Sequence, residues 1–214
     1  MATLHLSHAL VETRAIGLDV DGVLRDTAYV AYQALCKTVD ELGGIAPAFD
    51  AFVQGYESDY RTYYRSCGVQ DVERIYPVYS RYVGAPDSVP PFPDVADFLS
   101  HLQDHDVKVF VVSSHPTEQL HSWFAAHGID DHMLCVFGGS RDKRDCIRGA
   151  LASVDIPSFA ACYVGDWGLD MRAAKAVGLT PIGITRGYPS KTGLLASGAA
   201  HVVEHLHELV EMIR

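Results

Sequence analysis

Short apolar runs alternate with segments of helix length along most of this 214-residue chain. Such runs, for example VKVFVV at residues 107–112, are typical of strands that are buried on both faces of a parallel sheet. The pattern predicts strands near residues 15–19, 107–112, 133–137, 160–164, 181–184 and 201–203. It predicts helices near residues 94–104, 117–127, 143–154, 169–177, 189–197 and 205–213. The sequence therefore predicts an α/β fold, a doubly wound parallel sheet with a Rossmann-like core, whose ligands bind beyond the carboxyl ends of the strands.

Residues 28–88 differ in character and predict a small helical domain that is inserted after the first strand. Apolar and aromatic residues follow helical spacing in three segments, which stop at Gly43, Gly68 and Gly84. A proline-rich connection at residues 87–93 then returns the chain to the core. The tyrosine-rich stripe of the second segment could line an organic substrate, but the buried face of the insertion is the preferred interpretation. The predicted division is a core of residues 1–27 and 89–214 and a helical insertion of residues 28–88.

Composition and charge restrict the class of protein. Hydrophobic residues make up 48% of the chain and charged residues 21%, which is ordinary for a globular protein. The formal net charge of −10 argues against binding to nucleic acid or anionic lipid, although a bound cation can still create a site for small anions. The five cysteines include no CxxC pair and are interpreted as reduced core residues. Because residues 1–10 lack the features of a secretory signal and no long apolar run occurs, we expect a cytoplasmic enzyme, monomeric or homodimeric, without a membrane partner.

The first predicted strand ends in two carboxylates and a glycine, in the run AIGLDVDGVLRDT at residues 15–27. Side chains two apart on a strand point the same way, so Asp19 and Asp21 can face one reaction centre. A carboxylate that attacks phosphorus forms an acyl phosphate, which water later cleaves. We expect Asp19 to be this nucleophile, and Asp21 to be the acid that protonates the departing oxygen and the base that activates water. The same spacing at Asp104 and Asp106 lies on a polar connection and is assigned no function.

Two later segments supply groups that such a reaction needs, because the approaching anions must be neutralised. Ser113 stands at the end of the second core strand, where its hydroxyl can hold a phosphoryl oxygen. Lys143 opens a helix and can neutralise both the phosphate and Asp19. Arg141 and Arg144 are neighbouring cations and remain alternatives for this role.

A further junction of strand and acid lies at residues 161–170, ACYVGDWGLD. An apolar strand again ends in Gly-Asp, and a second acid follows four residues later. Asp166 is placed to share a magnesium ion with Asp19, and Asp170 can support that ion directly or through water. Mg²⁺ prefers oxygen ligands, keeps waters and accepts substrate phosphate, which suits so few protein donors.

Several histidines are weaker candidates. His115 follows the serines of the second strand closely enough to contact a substrate, although a solvated loop residue is the ordinary interpretation. His201, His205 and His207 suggest a metal cluster, but they span a strand end and the last helix without an acid partner in the pattern. They are interpreted as surface residues.

The order of these segments resembles the four motifs of the haloacid dehalogenase-like (HAD) hydrolase superfamily over residues 15–213. The motif residues are Asp19-Val20-Asp21-Gly22, Ser113, Lys143, and Gly165-Asp166 to Asp170. The insertion resembles that superfamily's alpha-helical cap, and the closest pattern is that of the phosphoglycolate phosphatase-like group. The resemblance implies Mg²⁺-dependent hydrolysis of a small phosphorylated metabolite, a phosphoglycolate- or sugar-phosphate-like phosphomonoester, through an aspartyl-phosphate intermediate.

The resemblance also implies roles for individual residues. The backbone carbonyl of Asp21 becomes a metal ligand beside Asp19 and Asp166, and Ser114 joins Ser113 and Lys143 in binding the phosphate. Dehalogenase members lack an acid at the position of Asp21, so this chain is expected to act on phosphate esters. Val23 stands where many relatives carry threonine, and Ser114 where many carry asparagine; each change removes a helper group but not a required one.

Two other functions compete with a phosphatase. An intramolecular phosphomutase of the beta-phosphoglucomutase type uses the same core with a cap that excludes water. Release of free phosphate from a sugar phosphate separates the two activities. A non-enzymatic phospho-accepting regulatory domain also uses aspartate and magnesium, but it is about half this length, has no cap and places its acceptor on an internal strand. The motif order here therefore disfavours it.

Overall fold

The computed structural model describes residues 13–55, 60–83, 89–140, 142–186 and 190–213. Six strands form one sheet: β1 Ala15–Leu18, β2 Lys108–Val112, β3 Cys135–Phe137, β4 Ala161–Gly165, β5 Thr180–Ile184 and β6 His201–Val203. They run parallel in the order β3-β2-β1-β4-β5-β6. The predicted α/β fold is confirmed, and the strands lie where the apolar runs predict them. Since the order reverses beside β1, the carboxyl ends of β1, β2 and β4 border the crevice where ligands bind in such sheets.

Helices connect successive strands and pack on both faces of the sheet. They are α1 Ala28–Glu41, α2 Phe49–Gly55, α3 Tyr60–Ser66, α4 Ile75–Tyr82, α5 Val95–Asp104, α6 Thr117–Ala126, α7 Arg144–Val154, α8 Gly168–Val177, α9 Lys191–Ala196 and α10 His207–Val210. Apolar residues of α5, α6 and α10 bury one face of the sheet, whereas those of α7 and α8 bury the other. Because strand side chains alternate between faces, Val109 and Val111 join the first cluster and Phe110 and Val112 the second.

Helix ends differ from the prediction where side chains bind free backbone N–H groups. α10 begins at His207 rather than at residue 205. Glu208 Oε1 accepts the N–H groups of Glu204 and His205 at 2.7 and 2.8 Å, which holds this segment in a turn. α9 begins at Lys191, and residue 189 lies outside the described residues.

The helices α1 to α4 enclose an apolar cluster of their own. Its buried members are Leu35, Val39, Phe52, Tyr64, Cys67, Val69 and Ile75. Tyr64 is only 1% exposed, so the tyrosine-rich stripe contributes directly to this cluster. The second predicted helix corresponds to α2 and α3, and residues 56–59 between them lie outside the described residues. Residues 84–88, which include the end of the predicted third helix and the start of the return connection, also lie outside them. The division into core and cap stays a prediction.

The composition predicts reduced cysteines and no membrane-spanning segment. All five cysteines are free thiols, of which Cys67 and Cys162 are buried. In the described ranges, no helix combines the length and the apolar character that crossing a bilayer requires. Residues 1–10, which bear on the expectation about a secretory signal, lie outside the described residues.

Candidate active site

The carboxyl ends of β1 and β4 lie side by side, and each is followed by an aspartate. The N–H of Asp19 donates to the carbonyl of Val164 at 3.0 Å, which continues the parallel ladder between the two strands. One carboxylate oxygen from each of Asp19, Asp166 and Asp170 lies within 4.8 Å of the other two, and all three residues are buried. Parallel pairing of β1 with β4 thus brings acids from distant parts of the sequence into one small volume.

Lys143 is the cation that faces these acids. Its Nζ lies 2.5 Å from Asp19 Oδ2 and 2.7 Å from Asp170 Oδ1, and the side chain is buried. The residue occupies the N-cap position of α7, and its Nζ lies 5.7 Å from the ring centroid of Tyr163. Burial alone lowers the pKa of Lys143, but the charges of Asp170 and Asp19 raise it well above its usual value, so the ammonium stays charged. Arg144, one of the two alternatives to Lys143, forms an ion pair with Asp142 on the surface. The other alternative, Arg141, lies outside the described residues.

Among the described residues, the cluster has three carboxyl groups and one ammonium group. Burial raises the pKa of Asp19 to about 7, against the opposing charge of Lys143. Burial, together with the charge of Asp19, raises the pKa of Asp166 well above its usual value. Asp166 Oδ2 is buried without a hydrogen-bond partner among the described residues. A buried oxygen of this kind, beside two more carboxylates, fits a hard divalent cation and is costly without one.

Two glycines allow the acids to approach so closely. Gly22 has φ of 70°, a left-handed conformation that favours glycine, and a Cβ there would collide with the carboxylate of Asp166. A Cβ on Gly165 would collide with the side chain of Asp170. Asp170 in turn caps the start of α8, because its Oδ2 accepts the N–H of Trp167 at 3.1 Å. A side chain at position 22 or 165 would therefore occupy the space that these carboxylates fill.

The side chain of Asp21 is held by two partners. Arg25 Nε donates to Asp21 Oδ1 at 2.7 Å, and His115 Nε2 lies 2.6 Å from Asp21 Oδ2. Burial raises the pKa of Asp21, but the hydrogen bond from His115 and the charge of Arg25 outweigh it and lower the pKa well below its usual value. Arg25 is 1% exposed and lies 5.4 Å from the ring centroid of Trp123. The structure therefore fixes Asp21 as a carboxylate beside the cluster.

Ser113 and Ser114 occupy different environments. Ser113 is fully buried at the end of β2, next to β1 in the sheet, and its Oγ accepts the N–H of His115 at 3.3 Å. This bond leaves the hydroxyl hydrogen of Ser113 available for a phosphoryl oxygen. Ser114 is exposed, and its role in phosphate binding stays a prediction.

Sequence reasoning named His115 only as a possible substrate contact, and it identified neither His115 and Arg25 as partners of Asp21 nor Arg186 as a support of the loop. The four-residue spacing of Asp21 and Arg25 was a usable signal, whereas the contact of His115 depends on how β1 and β2 pair. Arg186, which follows β5, donates from Nη2 to the carbonyl of Val23, and its Nη1 lies 2.5 Å from Asp94 Oδ1. Its guanidinium also lies 4.0 Å from the ring centroid of Phe92. Arg186 thereby ties the loop after β1 to the segment that precedes α5.

Known proteins similar to this chain share its fold. A haloacid dehalogenase-like hydrolase of Streptococcus pneumoniae superposes with a TM-score of 0.80 at 22% identity, over 93% of this chain and 97% of that one. A protein of Haemophilus somnus described as a predicted phosphoglycolate phosphatase gives a TM-score of 0.75 at 16% identity, over 94% of this chain and 98% of that one. At these identities the likeness concerns the fold.

Sequence relatives extend the comparison. The phosphoglycolate phosphatase of Synechococcus elongatus is 26% identical over 124 residues, which cover 57% of this chain and 58% of that protein. The chain thus spans less than two thirds of the length of the curated relatives it matches. A family model described as haloacid dehalogenase-like hydrolase matches residues 16–184, which include β2 to β5, β1 apart from its first residue, and every acid of the cluster. This chain belongs to the haloacid dehalogenase-like hydrolase family.

Proposed function

We propose that this protein is a Mg²⁺-dependent phosphatase that hydrolyses a small phosphomonoester, phosphoglycolate- or sugar-phosphate-like, through an aspartyl phosphate on Asp19. The observation that carries the proposal is the contact of Lys143 Nζ with Asp19 and Asp170, within a buried group of three carboxylates. Similarity to phosphoglycolate phosphatases supports the substrate class. The cytoplasmic location stays a prediction.

The first step forms a bond between a carboxylate oxygen of Asp19 and phosphorus and breaks the ester P–O bond. Lys143 remains charged beside Asp19, so it can offset the negative charge that the phosphoryl group brings. The buried hydroxyl of Ser113 can donate to a phosphoryl oxygen. Together these groups orient phosphorus towards Asp19 and oppose the repulsion between the two anions.

Asp21 handles protons in both steps. As a carboxylate it can take a proton from water, whose oxygen then attacks phosphorus and releases phosphate from Asp19. In the first step the departing alkoxide needs a proton, and the hydrogen-bonded pair of Asp21 and His115 is the group that can supply it. Arg25 holds the other oxygen of Asp21 and so fixes the direction of transfer.

Asp19, Asp166 and the backbone carbonyl of Asp21 would hold the magnesium ion, with Asp170 in support. When bound, the ion would neutralise the charge of the carboxylates and polarise the phosphoryl oxygens. The unpartnered oxygen of Asp166 and the raised pKa values of Asp19 and Asp166 fit this assignment, because burial disfavours the ionised carboxylates and a bound cation would stabilise them.

Hydrolysis of a chromogenic phosphomonoester tests the proposal. We expect release of inorganic phosphate in the presence of Mg²⁺, loss on chelation, and a fall of at least about 10³-fold for Asp19→Asn. Asp104→Asn is the matched control, since it alters the other Asp-x-Asp spacing and should retain activity. Near wild-type turnover by Asp19→Asn would refute the mechanism. Conversion of a sugar phosphate to its isomer without free phosphate would instead establish the mutase alternative.

A further inference from the structure

A second group of metal-binding side chains lies away from the acidic cluster. Asp94 precedes α5, and His205 and His207 flank Leu206 at the start of α10. One donor atom from each of Asp94, His205 and His207 lies within 4.8 Å of the other two. We propose that these three residues bind one divalent transition-metal ion, with Zn²⁺ as the best match.

Hydrogen bonds hold the backbone that carries the two histidines. The N–H of Leu206 donates to Asp94 Oδ2 at 2.9 Å, so the carboxylate is fixed at the residue between them. Glu208 Oε1 accepts the N–H groups of Glu204 and His205, which fixes the turn before Leu206. Both imidazoles therefore project from a turn that is bound to the proposed carboxylate ligand.

The positions of the two rings suit a shared ion. The ring centroids of His205 and His207 are 5.2 Å apart, and the rings are stacked with 18° between their planes, so binding of one ion requires a rotation of at least one ring. With Zn–N bonds of about 2.0–2.1 Å and tetrahedral angles, two imidazoles on one ion place their centroids about 5 Å apart. The side chains of both histidines are exposed, so small rotations can direct one nitrogen of each towards a common point.

The ligand types distinguish this site from the acidic cluster. Two imidazoles and one carboxylate favour zinc and similar transition metals, whereas the carboxylates of Asp19, Asp166 and Asp170 favour magnesium. Asp94 Oδ1 also contacts Arg186 Nη1 at 2.5 Å. A carboxylate has about four lone-pair sites, so Asp94 can bind an ion and keep both of its present partners.

A cavity beside the site offers room for a further ligand. It has a volume of about 510 Å³ and is lined by Asp94, His207 and five other residues, among them His101. His101 Nε2 is buried and has no hydrogen-bond partner among the described residues. The cavity leaves room for a water on the ion, so the site would have three protein ligands and one open position.

Titration of the metal-free full-length protein with Co²⁺ and Zn²⁺, in excess Mg²⁺, tests this proposal. Excess Mg²⁺ competes with the added ions at all-oxygen sites, and Co²⁺ in a six-coordinate oxygen site absorbs only weakly, so intense absorption reports on a four-coordinate site. We expect one equivalent of Co²⁺ to bind with the intense visible absorption of a four-coordinate ion, and Zn²⁺ to displace it. Each of His205→Gln and His207→Gln should weaken binding by at least about 10-fold, and the double variant should abolish the absorption.

His121→Gln is the matched control, because His121 is also an exposed histidine that contacts an aspartate, Asp130, at 3.0 Å. It should bind Co²⁺ as the wild type does, and circular dichroism should show that every variant is folded. Equal Co²⁺ binding by the wild type and the double variant overturns the proposal, as does an equal loss in the His121 variant. Phosphatase activity is not the readout, so failure of this proposal is separate from failure of the proposed function.

Discussion

Two clusters of ionisable side chains lie at the carboxyl edge of the sheet, and they differ in how their carboxyl groups are paired. Beyond β1 and β4, three buried acids face the single ammonium of Lys143. Beyond β5 and β6, Asp94 has one guanidinium, that of Arg186, and one backbone N–H. Among the described residues, the first cluster has more carboxyl groups than cations, whereas in the second the Asp94 carboxylate is paired with the guanidinium of Arg186. The comparison indicates that chemistry belongs to the first cluster and that the second already stabilises the fold.

Replacing Lys143 with methionine should have the largest effect. Two buried acids would then lack their cation, so the free energy of unfolding in metal-free buffer should fall by about 3–5 kcal/mol. Phosphatase turnover should fall by about 10³-fold. Urea unfolding and steady-state kinetics measure the two effects, and added Mg²⁺ should recover part of the stability. Lys175→Met, on the exposed side of α8, is the control; an equal loss there would remove the distinction between the clusters.

Neutralising one acid in each cluster should change stability in opposite directions. Asp166→Asn removes a buried carboxyl whose ionisation is disfavoured by burial, so metal-free stability at alkaline pH should rise by about 1 kcal/mol while activity falls by at least about 10²-fold. Asp94→Asn removes the partner of Arg186 and should lower stability by about 1–3 kcal/mol. Chemical denaturation of both variants in chelator measures the signs. Two changes of the same sign would contradict the comparison.

Substitution of Arg186 tests whether the second cluster affects turnover only by stabilising the loop that carries Asp21. Arg186→Met removes the contacts with Asp94 and the Val23 carbonyl, and should destabilise the fold by about 1–3 kcal/mol. Turnover should fall less than about 10-fold, because Arg186 supports the loop rather than the reacting groups. Arg186→Lys keeps the charge but loses the planar stack on Phe92, so its stability should be intermediate. A larger loss of turnover than of stability would place Arg186 in the reaction itself.

The two clusters also differ in how far the sequence predicts them. Asp19 and Asp166 follow apolar runs, and parallel strands place their carboxyl ends at one edge, so their meeting could be predicted. The approach of Asp94 to His205 and His207 could not, because it depends on how α5 packs beside the turn before α10. For the same reason the three histidines were interpreted as surface residues without an acid partner. His205 and His207 are exposed, so they are surface residues as predicted. The expectation that they lack an acid partner was wrong, because the carboxylate of Asp94 lies beside them.

Contacts of individual side chains are the other feature that could not be predicted from the sequence. The sequence predicted that Asp21 faces the reaction centre but did not identify His115 as its partner, because that contact crosses from β1 to β2. Helix ends were also misplaced where a carboxylate binds the backbone, as Glu208 does before α10. Periodicity records which face of an element is buried, and it carries no information on such single bonds.

The smallest expected effect is a difference in pH dependence, measured on metal-free protein. Burial raises the pKa of Asp19 from 3.8 to about 7, so stability that depends on it is complete below pH 3.8 and is lost as the pH rises through about 7. Burial also raises the pKa of Asp94, but the hydrogen bond and charge of Arg186 outweigh it and lower the pKa below 3.8. Its contribution is therefore present above that pH and is lost as the pH falls.

Unfolding free energies of the wild type, Asp19→Asn and Asp94→Asn across this pH range test the two signs. The wild type should lose stability relative to Asp19→Asn as the pH rises, by at most about 1.4 kcal/mol per pH unit for one proton. It should lose stability relative to Asp94→Asn as the pH falls, and by less, since Asp94 is partly exposed and solvent screens its ion pair. Saturating Mg²⁺ should abolish the first trend and leave the second, because only the acidic cluster would gain a cation. Parallel trends in both comparisons would mean that the two clusters balance their charge alike.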